Sequence, residues 1–164
     1  MPGNDSNYPL QIRKLEPLRV ASISHTGPYE QLGPVYGRLF AWMERNKIAP
    51  NGFIREFGYD NPMQTPPERC RQEVCVPIGD SVKPEGEIEI KTLPQVEVIS
   101  AVHRGGLGFQ SMGEAYNSLM KWAGENSRTT CYSIITYYTS PQNRHKAEVE
   151  IAMAMGADRP VPVP

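Results

Sequence analysis

The sequence repeats itself, and the repeat limits what the chain can fold into. RVASISHTG at 19–27 is answered by EVISAVHRG at 97–105, an offset of 78 residues. Gly33, Tyr36, Leu39 and Trp42 recur as Gly113, Tyr116, Leu119 and Trp122, an offset of 80. Tyr59 and Pro62 recur as Tyr138 and Pro141 after 79 residues, and Glu73-Val74 as Glu148-Val149 after 75. The matches keep one order with little drift. Two copies are too few for a solenoid, which needs three or more stacked units. The pattern instead predicts two similar halves packed about a pseudo-two-fold axis.

Each half carries the same local signals. Residues 20–25 are short and β-branched, a strand ending at His-x-Gly. Residues 30–46 place Leu32, Val35, Tyr36, Leu39, Phe40 and Met43 at amphipathic helical spacing. Pro50 and Gly52 stop that helix. Strands are predicted at 53–60 and 72–78. The second half repeats the order: strand 96–103, helix 111–125, strands 132–139 and 147–154. The predicted fold class is α+β: two tandem strand-helix-strand-strand modules with pseudo-two-fold symmetry, whose antiparallel sheets form a ligand groove. Residues 1–14 are expected to be disordered or extended. The domain spans 15–156, with half one at 15–78, a Pro- and Gly-bearing connector at 79–95 and half two at 96–156. Residues 157–164 form an extended tail.

Composition excludes several functions. Seventeen basic and eighteen acidic side chains give a net charge of −1, without the positive excess that gripping phosphates requires. Apolar residues make up 39% of the 164, enough for a core, yet no apolar run reaches the ~18–20 residues of a membrane span. The first residues, MPGNDSNYPLQ, lack a secretory apolar stretch. Cys70, Cys75 and Cys131 form no CxxC pair and read as reduced thiols in a cytoplasmic protein.

The segments at 15–33 (LEPLRVASISHTGPYEQLG), 59–62 (YDNP), 68–78 (ERCRQEVCVPI), 90–94 (IKTLP) and 113–122 (GEAYNSLMKW) resemble the GyrI-like small-molecule-binding domain. That domain also serves as the effector-binding part of some AraC-type and MerR-type regulators. The resemblance covers 15–154. It implies two joined strand-helix-strand-strand modules enclosing a groove for an apolar, often cationic, ligand. Fewer than fifteen residues precede the fold, too few for a helix-turn-helix domain, so the free-standing form is expected. Members of that form are associated with toxin sequestration, protection of DNA gyrase, or hydrolysis of cyclopropane-bearing antibiotics.

The resemblance also implies a buried glutamate in a Glu-x-Tyr-x-x-x-Pro pattern on the penultimate strand. A carboxylate among aromatic rings is poorly solvated, and a lipophilic cation compensates it. Aligning on Pro141 puts Ile135 at that glutamate and Tyr137 at the tyrosine. The carboxylate is therefore sought at Glu56, the repeat equivalent of Ile135, or at Glu150 on the last strand. Alternation expects Val149 and Ile151 under the helices, with Glu148 and Glu150 facing the groove. The candidate ligand-binding residues are Glu150, Glu56, Tyr137, Ile135, Tyr29 and Cys75. Tyr29 is placed at the groove mouth, Cys75 at the position equivalent to Glu150, and Tyr138 in the core. Trp42 and Trp122 read as packing residues.

His25 and His103 match as repeat equivalents, and no cluster of ligand spacing surrounds them, so no metal and no cofactor is expected. His145 lies in a polar loop. The turn from Gly105 to Gly108 lacks a phosphate-loop pattern, and no GxSxG elbow occurs. The leading expectation is a stand-alone sensor or sequestering module for a drug or toxin, binding an apolar, cationic or aromatic small molecule without covalent chemistry. The alternatives are a cyclopropanoid hydrolase using Glu150 with Tyr137, and an interaction protein with DNA gyrase as partner. No direct nucleic-acid or membrane partner is expected.

Overall fold

The computed structural model describes residues 8–156, and of Phe109 and Gln110 the backbone alone. Residues 1–7, part of the segment expected to be disordered or extended, and the expected extended tail at 157–164 lie outside the described residues. The fold is α+β. The strands are β1 (Gln11–Leu15), β2 (Leu18–Thr26), β3 (Arg55–Gly58), β4 (Arg71–Pro77), β5 (Glu89–Leu93), β6 (Val96–Gly105), β7 (Thr130–Tyr137) and β8 (Ala147–Met155), with helices α1 (Leu32–Arg45) and α2 (Phe109–Glu125). No helix among the described residues is long and apolar enough to cross a membrane.

The chain divides into two compact units. One is Pro17–Pro94; the other is built from residues 8–16 and 95–156. In the Pro17–Pro94 unit the strands lie in the order β3-β4-β2-β5, and every pairing is antiparallel. In the other unit the order is β1-β6-β8-β7, again antiparallel. Strand, helix, strand, strand is the run of each: β2-α1-β3-β4 and β6-α2-β7-β8.

Two strands fall where none was predicted. β1 lies in the leading segment and pairs on β6, and β5 lies in the connector and pairs on β2. Gln11, Ile12 and Lys14 of β1 are exposed, so its sequence lacks the alternation of a half-buried strand. Charge on an outer strand is a usual defence against pairing with other chains.

Helix α1 buries Leu32, Val35, Tyr36, Leu39, Trp42 and Met43 along one face. Pro34 is tolerated because first-turn amides have no acceptor within the helix. Leu39 and its repeat partner Leu119 are both wholly buried, each contributing about 2 kcal/mol of apolar transfer. Both helices end in the same way. Ile48 N–H bonds Met43 C=O at 2.8 Å past Lys47 at φ 54°, and Arg128 N–H bonds Ala123 C=O at 2.8 Å past Ser127 at φ 53°. These are Schellman closures with a left-handed residue just beyond the helix.

The His-x-Gly signal has a local cause at Gly27. Its φ is +146°, and a Cβ there would come within 3.1 Å of both Gln31 Oε1 and His25 Nε2. Its N–H donates to Cys70 C=O at 2.8 Å, and its own carbonyl accepts from Gln72 Nε2 at 2.8 Å. A side chain would break this crossing of the turn over β4.

Candidate functional site

Two glutamates in the Pro17–Pro94 unit are buried on opposite faces of its sheet. Glu56 pairs across from Val74, which pairs across from Ile23. Directly opposed residues of antiparallel strands point the same way, so these three share a face. Helix α1 covers that face: Tyr36 O–H donates to Glu56 Oε2 at 2.6 Å. Glu56 is 8% exposed, and the Tyr36 ring lies 5.9 Å from Phe40. The site thus joins a buried carboxylate, a phenol donor and two rings. Helical spacing alone gives Tyr36 a packing role. Its recurrence as Tyr116 marked it as special without saying what it touches.

The second glutamate, Glu73, opposes Ser24 and Phe57 on the other face. It accepts from Tyr59 O–H at 2.6 Å and forms an ion pair with Lys91. Glu73 was not among the sequence candidates, though the repeated Glu-Val pair pointed at its position.

The remaining candidates fall into place by register. Tyr29 sits half-buried in a 3₁₀ turn and donates to Asp60 C=O at 3.2 Å. Asp60 in turn accepts from the Arg71 backbone N–H at 2.8 Å and from its guanidinium at 2.9 Å. The HTGPYE and YDNP blocks therefore meet. Cys75 is fully buried opposite Ser22 and Arg55, and burial, then Glu73, pushes its thiol well above the ordinary range. It is not the counterpart of Glu150. The repeat aligns Ser24 with Val102, whose partners are Glu73 and Glu150, so Glu73 holds that position. The offset of 75 taken from Glu-Val misplaced the strand by two residues.

In the other unit Glu150 opposes Val102 and Thr136. It is 2% exposed, accepts from Ser100 O–H at 3.2 Å and lies 3.4 Å from Arg13 Nε. That contact is one of charge alone: Arg13 Nε and Glu150 Oε1 are both buried without hydrogen-bond partners. Ile135 opposes Ile151, and Tyr137 opposes Val149. Ile135 and Tyr137 therefore share the face of Val149 and Ile151, opposite to Glu150. The expected Glu150–Tyr137 couple does not form. Alternation within one strand sets parity, and only the register between strands decides which residues share a face. Tyr137 is buried and Tyr138 half-buried, the reverse of the core placement expected for Tyr138.

His103 is buried on the face of Val149. Its Nε2 faces Gly106 C=O at 2.9 Å, so Nε2 carries the proton and Nδ1 accepts from Tyr8 O–H at 2.8 Å. Burial and the Glu114 carboxylate push the Tyr8 phenol up, keeping it a donor. Among the described residues no group of His, Cys, Asp and Glu could hold a metal ion. Two surface hollows of about 270 and 550 Å³ lie beside α1, and neither is lined by a candidate residue.

The sequence pattern of the GyrI-like small molecule binding domain matches residues 8–155. The chain belongs to that family. A curated relative, a DNA gyrase inhibitor from Citrobacter koseri, is 29% identical over 72 residues, 43% of this chain and 46% of that protein. The chain thus aligns with less than half of that relative. The EcmrR C-terminal domain superposes with a TM-score of 0.73 at 19% identity, covering 92% of this chain and 98% of that one. Against EcmrR in its DNA complex, the chain spans 57% of the longer protein. SAV2435, solved bound to tetraphenylphosphonium, superposes with a TM-score of 0.61 at 11% identity, covering 91% of this chain and 94% of that one. At such identities the likeness is one of fold.

Proposed function

We propose that this GyrI-like chain captures a lipophilic cation against Glu56, as a sensor or sequestering module. The observation that carries the reading is the buried Glu56 carboxylate held 2.6 Å from the Tyr36 hydroxyl under α1. A desolvated carboxylate attracts a cation strongly, because water no longer competes for it. The phenol bond fixes its direction, and the faces of Tyr36 and Phe40 add cation–π attraction of about 0.5–2 kcal/mol each. Family membership supports a small-molecule ligand, and the tetraphenylphosphonium held by SAV2435 supports its class. We read the two strand-helix-strand-strand runs as copies of one module, in which Glu56 replaces the carboxylate missing at Ile135.

Tryptophan fluorescence titrated with tetraphenylphosphonium tests this. Saturable binding is expected, weakened at least tenfold (~1.4 kcal/mol) by Glu56→Gln and severalfold by Tyr36→Phe. Equal affinity in wild type and Glu56→Gln would remove the reading.

The same carboxylate–phenol couple at 2.6 Å suits water addition to a strained ring: Glu56 accepts a proton from the attacking water as the C–O bond forms, and Tyr36 gives its proton to the carbon or oxygen released as the ring bond breaks. Mass spectrometry after incubation with a cyclopropane-bearing alkylator separates the two: hydrated product marks a hydrolase, unchanged compound a binder. The gyrase partner rests on the name of the Citrobacter koseri relative, and a supercoiling assay decides it.

A further inference from the structure

The 550 Å³ hollow beside the C-terminal half of α1 has the makings of a second site, independent of Glu56. Its volume falls within the ~300–1,000 Å³ of small-molecule sites. Trp42, Ile48, Val82 and Pro84 give it apolar walls, and Lys47 and Lys83 stand at its rim.

Two features fix the sign of its ligand. First, neither Lys47 nor Lys83 lies within ion-pair distance of a carboxylate among the described residues. The one acid in the lining, Glu85, is already engaged by Arg45 at 3.0 Å and Asn46 at 3.3 Å, which hold its carboxyl below the usual range. The Trp42 side chain, as a hydrogen-bond donor, adds the last of the contributions that lower Glu85. Second, the negative end of α1 is closed off. Its last carbonyls accept from Ile48 N–H, Lys47 N–H and the Asn46 side chain, so they do not repel an anion.

The far wall is preorganised. Arg19 reaches the carbonyls of Gly79 and Val82 at 3.4 Å, and its own carbonyl accepts from Ile78 N–H at 3.1 Å. A wall held before the ligand arrives costs less ordering on binding.

We propose that this hollow binds an amphipathic organic anion, a carboxylate or sulfonate carried on an apolar ring system. The ring packs against the apolar wall of Ile48, Val82 and Pro84, and the acid group meets Lys47 and Lys83.

The test uses 8-anilinonaphthalene-1-sulfonate as probe on the full chain, read by its fluorescence and by quenching of tryptophan. One saturable site is expected. Lys47→Asn with Lys83→Gln should weaken it about tenfold, and Lys83→Gln alone about threefold. Asn suits the left-handed backbone at position 47. Far-ultraviolet dichroism verifies the fold of each variant. N-phenyl-1-naphthylamine, with the same rings and no sulfonate, should bind at least tenfold more weakly. Glu56→Gln should leave the probe's affinity unchanged, so failure here is distinct from failure at Glu56. Wild-type affinity in the folded double variant, equal binding of the neutral amine, or no saturable binding would each overturn the proposal.

Discussion

Glu73 on β4 and Glu150 on β8, one in each unit, each meet a cation reaching over a neighbouring strand. Lys91 on β5 crosses β2, where Ser22 stands. Arg13 on β1 crosses β6, where Ser100 stands. Lys91 pairs across from Val20 and Arg13 from Val98, which the repeat aligns. Spanning two strand spacings, about 9–10 Å, takes a long cation and a small residue beneath it.

The two pairs differ in quality, and stability should report it. Glu73 is hydrogen-bonded by Tyr59 and paired with Lys91, which is 18% exposed. Lys91→Met should cost about 3 kcal/mol in urea unfolding, because it strands a buried charge. Adding Glu73→Gln should restore part of that. Arg13→Met should cost less, about 1 kcal/mol, since Arg13 is 38% exposed and its contact with Glu150 is not a hydrogen bond. The reverse order would contradict the assignment.

Both helix closures place a side chain in the left-handed region, at Lys47 and Ser127. Glycine adopts that conformation without the Cβ penalty. Lys47→Gly and Ser127→Gly should each raise stability by about 0.5–1 kcal/mol, seen as a higher melting temperature. The gains should add, because the sites lie in different units.

Much of the fold was legible in the sequence. Helical spacing in 30–46 and β-branched runs such as 20–25 located both helices and six strands within a few residues, because burial on one face imposes a period. β1 and β5 escaped because charged outer strands carry no such period. The candidate site was legible only as residue types. Glu56 was found through its equivalence to Ile135. Its contact with Tyr36 joins a strand to a helix twenty residues away, and no spacing encodes that. The misplacement of Glu150 beside Tyr137 has the same origin: each strand's parity was right, but the register between strands was unknown.

The three cysteines are free, and their burial differs. Cys70 and Cys75 are fully buried, and burial pushes both thiols up, whereas Cys131 is half-buried. Thiolate is the reactive form. One equivalent should therefore react quickly with an aromatic disulfide reagent at pH 8, three after denaturation, and Cys131→Ser should abolish the fast phase.

Burial pushes the Tyr132 phenol up to about 12, with Cys131 adding to the rise. A folded pKa above the unfolded value near 10 gives stability that is intact below pH 10 and lost as pH climbs toward 12. Urea midpoints should fall across that window, and Tyr132→Phe should flatten the fall.

The most direct test of the carboxylate site is calorimetric titration of tetraphenylphosphonium into Glu56→Gln and Glu150→Gln beside the wild type. A loss of at least tenfold at Glu56, with less than twofold at Glu150, is the expected result. Unchanged affinity at Glu56, or the larger loss at Glu150, would contradict the placement of the cation against Glu56.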